Sequence, residues 1–135
     1  MRCNKIQINT NGQGFYSIQE KIEDFLKTQN KKDGLLNIFI RHTSASLTVT
    51  ENYDPDVKKD LLDFYDNLAP QQKTYKHSLE GFDDMPAHIK NSLLGVSLSI
   101  PFENGKLLLG KWQKVYLFEH KISPQTREIV LTILG

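Results

Sequence analysis

LLNIFIRHTSASLTVTE, residues 35–51, holds two strand-like runs with a polar corner between them. LLNIFIR (35–41) is an apolar run of strand length, the pattern of a strand buried on both faces. SASLTVTE (44–51) alternates: Leu47 and Val49 point one way, and Ser46, Thr48 and Thr50 point the other. A β-layered fold therefore grows outward from this stretch. Downstream, DPDVKKDLLDFYDNL (54–68) predicts a helix, with Asp54 as N-cap, Pro55 at the first helical position, and Val57, Leu61, Phe64, Tyr65 and Leu68 as its apolar stripe. Residues 69–85 form a long polar connection. PAHIKNSLL (86–94) predicts a short helix opened by Pro86 and ended by Gly95.

VSLSIPF and KLLLG are joined by Asn104-Gly105, a type I′ hairpin signal, and WQKVYLFEH (112–120) and REIVLTIL (127–134) follow as strands. Upstream, residues 3–10 alternate as a strand. GFYSIQEKIEDFLKTQNKKDG (14–34) predicts a turn and a helix, with Ser17 and Glu20 at capping-box spacing and Ile18, Ile22, Phe25 and Leu26 on one face. The sum is about seven strands and three helices. The expected fold is α+β: one domain over 1–135, mainly an antiparallel β-sandwich with about three flanking helices, its C-terminal strands pairing with their sequence neighbours.

The chain has 135 residues, enough for one domain, and 39% hydrophobic with 24% charged residues is a globular balance. Lys+Arg 17 against Asp+Glu 16 leaves no basic excess for a nucleic-acid backbone or anionic lipid, so neither is an expected partner. The single cysteine, Cys3, excludes an internal disulfide and a Cys-type zinc site. MRCNKIQINT has no apolar run and nothing approaches the ~18 apolar residues of a membrane span, so a cytoplasmic setting is the default.

Chemistry-bearing residues concentrate in HSLEGFDDMPAHIK (77–90), which holds two of the four histidines. Imidazole is the commonest nitrogen ligand of zinc and related divalent metals. His88 is expected as the third residue of its helix, where the N-terminus favours a neutral imidazole. Glu80 and Asp83 are suited to ligate, to orient a ligand histidine, or to act as general base. The competing reading is a solvated loop in which Asp83 or Asp84 caps the helix. His42 and Ser44 form a base–nucleophile pair only on paper, since no nucleophile-elbow glycines flank Ser44. ENYDPD (51–56) puts Asn52 and Asp54 where a strand meets a helix. In GKWQKVYLFEH (110–120), alternation places Gln113, Val115, Leu117 and Glu119 on one face, so a buried Glu119 needs a partner.

HTSASLTVTENYDPDVKKDLL, YKHSLEGFDDMPAHIKNSLLG and SIPFENGKLLLGKWQKVYLFEH together resemble the YjbQ-like family, often labelled "secondary thiamine-phosphate synthase enzyme". The match runs from about residue 35 to the C-terminus. The resemblance implies an α+β sandwich, a homotrimer, and a histidine-rich metal pocket. It marks His42, Asn52, Asp54, His77, Glu80, Gly81, Asp83, His88, Gly110, Trp112, Gln113 and Glu119 as family positions. On that basis His42, His77 and His88 are the expected ligands of a divalent metal, with zinc first. Asp83 and Glu119 are the expected catalytic carboxylates, and Asn52, Asp54, Gly110, Trp112 and Gln113 the expected contacts to a small phosphorylated or heterocyclic metabolite. The implied activity joins a pyrimidine diphosphate to a thiazole phosphate with release of pyrophosphate. The sequence has no glycine-rich phosphate motif and is far shorter than a (β/α)₈ barrel of ~250 residues, which leaves that activity secondary. The alternatives are a non-catalytic metal- or metabolite-binding module, and a structural trimer whose polar residues only satisfy one another.

Overall fold

In the computed structural model of the chain, residues 2–72 and 74–135 are described. Among them run β1 (Arg2–Asn11), β2 (Gly14–Ser17), α1 (Gln19–Lys27), β3 (Gly34–Ile40), β4 (Ala45–Glu51), α2 (Pro55–Leu68), α3 (Asp84–Leu94), β5 (Ser97–Glu103), β6 (Lys106–Leu107), β7 (Gln113–Glu119) and β8 (Pro124–Leu134). All recorded pairings are antiparallel, in a five-stranded sheet of order β1-β8-β3-β5-β6 and a three-stranded sheet of order β2-β7-β4. The α+β class expected from the sequence is the one observed.

The corner at residues 41–44 carries the chain from one sheet to the other. β3 buries Leu36, Ile38 and Ile40 between the sheets, while Leu35 and Phe39 on its other face are 38% and 41% exposed. The run 35–41 is therefore one-sided, contrary to the two-sided burial its composition predicts. β8 alternates the same way, burying Arg127, Ile129, Leu131 and Ile133. β7 turns Val115, Leu117 and Glu119 inward. Two strands that must both bury an inner face are best served by opposite layers, so β7 and β8 face each other across the core instead of pairing as sequence neighbours. Only the β5–β6 hairpin pairs locally among the C-terminal strands, and it turns on Asn104 (φ +54°) and Gly105 (φ +74°) as its sequence predicts. β2, absent from the sequence reading, is four residues long and pairs with β7.

The outer face of β7 is also buried, through Tyr116, Phe118 and His120 at its end. Phe15 stacks on Phe118 at 4.0 Å, and α2 lays Tyr65 against Phe118 and donates from Lys58 Nζ to the Tyr116 hydroxyl at 3.2 Å. α2 starts as predicted: Pro55 is its first residue and the Asp54 carboxylate accepts from Asp56 N at 2.9 Å. No residue of α2 is fully buried, however, and Phe64 and Leu68 stay exposed. α1 seats Ile22, Phe25 and Leu26 in the core. Its expected capping box does not form, because the helix begins at Gln19 with Ile18 as cap; the Ser17 hydroxyl instead donates to the Glu20 side chain at 2.8 Å. α3 opens at Asp84, two residues before the expected start, and ends at Gly95 (φ +93°).

One ionic clasp ties these layers together. Glu119 of β7 is fully buried and takes two hydrogen bonds from Arg127 of β8, Nε to Oε1 at 2.7 Å and Nη2 to Oε2. Thr10 of β1 donates to Oε1 at 2.7 Å, and the backbone N–H groups of His120 and Lys121 donate to Oε2 at 3.1 Å each. Arg127 Nη2 also donates to the Ser44 hydroxyl at 2.8 Å, which fixes the corner. Glu119→Ala leaves Arg127 buried without a counter-charge, so we expect it to lower the unfolding free energy by about 3–5 kcal/mol, against about 5–15 kcal/mol for a typical domain. In urea titrations the double variant Glu119→Leu/Arg127→Met should recover most of that loss. A loss below about 1 kcal/mol for the single variant would contradict this role.

Candidate metal centre

Because α3 begins at Asp84, Asp84 and His88 stand one turn apart on the same helix face. The polar loop before the helix brings His77 to the same place. The Nε2 atoms of His77 and His88 lie 2.6 Å and 2.9 Å from Asp84 Oδ2, and the two rings are 5.4 Å apart. One ligand atom from each of these three residues lies within 4.8 Å of the others. His77 is exposed, His88 is half-buried and Asp84 is buried. The group faces solvent on one side, where Glu80 reaches to 3.6 Å from His77 Nε2.

His88 Nδ1 donates to the Thr43 carbonyl at 2.7 Å. A carbonyl only accepts, so Nδ1 carries the proton and Nε2 is the nitrogen aimed at Asp84. Two arrangements satisfy an Nε2–carboxylate contact of this kind: a proton between them, or a cation held by both. A backbone carbonyl on the far nitrogen is the usual orienting contact of a metal-bound histidine. Burial alone raises the Asp84 carboxyl pKa, but hydrogen bonds from His77 and Lys121 outweigh it and hold the group well below the usual carboxylate range. Lys121 Nζ bridges Asp84 Oδ1 (3.0 Å) and Asp83 Oδ1 (3.2 Å). Burial lowers its pKa, yet these two carboxylates hold it above the ordinary lysine value.

The family model described as UPF0047 protein YjbQ-like matches residues 4–135. The Synechocystis UPF0047 protein sll1880 is 45% identical, over 95% of this chain and 88% of its own length. The Salmonella typhimurium UPF0047 protein YjbQ is 43% identical, over 96% and 95%. A solved Aeropyrum pernix structure superposes with a TM-score of 0.89 at 29% identity, covering 100% of this chain and 99% of that one. A Thermus thermophilus structure gives 0.87 at 37%, covering 97% and 99%. The chain belongs to the YjbQ-like family.

Not every expected site residue of this YjbQ-like chain meets at the His77–Asp84–His88 group. His42 sits at the corner on which α3 docks, and Asn91 Nδ2 donates to its carbonyl at 3.1 Å. Its side chain turns away to accept, through Nε2, the backbone N–H of Glu128 at 2.8 Å. Burial and nearby Arg127 hold its pKa below the usual histidine value. Asp83 is buried and accepts from Lys121 Nζ and, through Oδ2, from Ile122 N at 3.0 Å. Glu119 is enclosed in the clasp.

Asn52, Asp54, Gly110, Trp112 and Gln113 gather elsewhere. Asn52 N donates to Trp112 O at 2.9 Å, Gly110 N donates to Gln113 Oε1 at 2.8 Å, and Trp112 lies exposed beside Tyr53 at 5.0 Å. A side chain at Gly110 would press on that Gln113 oxygen at 3.2 Å. This group occupies the Glu51↔Gln113 end of the β4–β7 ladder, and the clasp and α3 occupy the Ala45↔Glu119 end. Six strand steps separate the two ends, about 20 Å at the usual rise. Asp84, absent from the expected ligand set, is legible as one half of an Asp-x-x-x-His pair once the helix is started at its own position.

His120 adds a second titrating feature. It is 1% exposed, its Nε2 lies 2.9 Å from the Ser46 hydroxyl, and its Nδ1 has no partner among the described residues. Burial first, then the charges of Lys90 and Arg127, push its pKa down from 6.5 to about 3. The folded state thus binds fewer protons than the unfolded state between these two values. This contribution to stability is intact above pH 6.5, shrinks as pH falls below it, and stops changing below about pH 3. We expect about 2 kcal/mol less stability at pH 5 than at pH 7.5 from this group alone. Denaturant unfolding at both pH values, compared with His120→Asn, isolates it: the variant should lose that part of the pH dependence, and an unchanged dependence would assign it elsewhere.

Proposed function

We propose that this YjbQ-like protein is a metal-dependent enzyme acting on a small heterocyclic or phosphorylated metabolite. The observation that carries the reading is the convergence of His77, Asp84 and His88, with His88 oriented by Thr43 O. Two imidazoles and one carboxylate leave open positions on a divalent ion, and zinc, our first expectation, uses such sets. When bound, such an ion acts as a Lewis acid and lowers the pKa of a coordinated water. The chain's own residues do the rest. Lys121 fixes the Asp84 carboxylate, Asp83 anchors the start of α3 through Ile122 N, and Glu119 positions the corner through Arg127 and Ser44. In this reading Asp83 and Glu119 act by positioning, and His42 locks the corner to β8. The exposed Glu80, next to His77, is placed to exchange protons with substrate.

A thiamine-phosphate synthase reaction is the specific form that the family resemblance raises. A departing pyrophosphate needs cations. Lys121 is already paired with two carboxylates and Arg41 with Glu128, which favours that reaction as a secondary activity. A homotrimer completes the proposal. The exposed Tyr53–Trp112 pair lies at the far end of the ladder from the triad, so a neighbouring copy is the means by which both reach one substrate. The incompletely covered α2, with Phe64 and Leu68, supplies apolar surface for the contact. No helix among the described residues is long and apolar enough to cross a membrane, and a cytoplasmic setting goes with the proposal.

After chelator treatment and re-addition of zinc, calorimetric titration should give one site per chain in the wild type. We expect His88→Ala to weaken that site by at least about 100-fold, as loss of a ligand exceeds the usual effect of its supporting contacts. The apo variant should stay within about 1 kcal/mol of wild-type stability. An unfolded apo variant, or unchanged zinc affinity, would make His88 structural. Light scattering at micromolar concentration should give three times the 15.5 kDa chain mass, and the monomer mass would refute the trimer.

A further inference from the structure

The face of α3 opposite the triad lines a second site. Between α2 and α3 lies a cavity of about 190 Å³, bounded also by Gln13 from the β1–β2 turn. Its wall includes Lys90, which is 1% exposed, an unusual place for an ammonium group. Lys90 makes one hydrogen bond among the described residues, to Asp66 Oδ1 at 2.5 Å. Gln13 Nε2 shares that same oxygen at 3.3 Å. An ammonium carries three N–H donors, so two of those on Lys90 have no protein partner among the described residues, and Asp66 Oδ2 likewise accepts from none. Unpaired donors on a buried charge are costly, and a cavity beside them is where a ligand would satisfy them.

The wall therefore offers a donor and an acceptor side by side. A lone anion meets Asp66 and Asp83, and a lone cation meets Lys90. A ligand that places an acceptor next to a donor satisfies both. Ala69, Pro70 and Pro86 supply apolar surface for a ring. At about 30 Å³ per water the cavity holds roughly six waters, space for a single ring. We propose that this cavity binds a small planar cyclic amide, its C=O accepting from Lys90 Nζ and its adjacent N–H donating to Asp66 Oδ2. The site stands apart from the metal reading: Asp83 lines the cavity while Asp84 joins the triad, and Lys121 spans the two carboxylates.

The probe is 2-pyridone, which carries one such edge, tested by NMR on the full chain with chelator present so that metal plays no part. We expect saturable binding with a dissociation constant of about 1–10 mM, ordinary for a one-ring ligand. In the wild type, ring protons should show nuclear Overhauser contacts to the Ala69 methyl. N-methyl-2-pyridone, which lacks the N–H donor, and the Lys90→Met variant should each weaken binding at least tenfold. If Lys90→Met does not fold, the Ala69 contact and the N-methyl control decide on wild-type protein. Absence of saturation, equal binding of the N-methyl compound, contacts only at other methyls, or tighter binding of benzoate in the same cavity would each overturn the proposal.

Discussion

The buried pair Glu119–Arg127 is the contact on which the arrangement rests. Buried ion pairs are weak sources of net stability, because desolvation consumes most of the attraction. Their value lies in what they forbid. Glu119 accepts from Arg127, Thr10 and two backbone N–H groups, so shifting either β7 or β8 by one residue would strand a charge in the core. Arg127 then reaches Ser44, next to Thr43, whose carbonyl orients His88. A chain of polar contacts thus runs from the centre of the sandwich to the triad, and the precision of the site is inherited from the register of the sheets.

A second layer of polar burial lies outside the three-stranded sheet. His120, Ser46 and Lys90 are each at most 1% exposed, in a region where α2 and α3 cover the sheet. Apolar side chains would fill this space at lower cost. α3 is amphipathic in an unusual sense: Asp84 and His88 look toward the triad, while Pro86 and Lys90 look toward the cavity against α2. Its burial therefore follows two chemistries, and the hydrophobic periodicity that defines most surface helices is correspondingly weak.

What the sequence made legible was local. The hairpin at Asn104-Gly105, the Asp54 cap and the Gly95 stop each depend on a few neighbouring residues, and each formed. Less legible were features decided by distant partners. Leu35 and Phe39 match the apolar pattern of Leu36 and Ile38, and only the layer packed against β3 separates the buried set from the exposed one. β2 has four residues and gains strand conformation from β7 alone. The crossing between β7 and β8 follows from two inward faces that have to meet, which linear adjacency hides. At the site, His77 and His88 lie together at Asp84, since one loop and one helix hold both. His42 was assigned from its motif, and its Nε2 goes to the backbone of Glu128, a contact set by tertiary structure. Starting the helix at Pro86 concealed Asp84, because proline at a first turn is such a strong local sign that it masked the turn before it.

Charge balance around α3 gives the last constraint. Three carboxylates, Asp66, Asp83 and Asp84, face two ammonium groups, Lys90 and Lys121. Lys90 answers Asp66, and Lys121 is shared between Asp83 and Asp84, so one negative charge has no full counterpart. Of the pair sharing Lys121, Asp83 has backbone support from Ile122 N, whereas Asp84 turns its second oxygen to His77 and His88. Asp84 Oδ2 is thus the oxygen that Lys121 leaves to other partners, and both imidazoles converge on it. Because Asp84 is buried, water screens its charge poorly, and attraction for a positive partner there exceeds what the same carboxylate would exert at the surface. A divalent cation would satisfy that oxygen and both imidazole nitrogens at once, which a lone hydrogen-bonded proton cannot do.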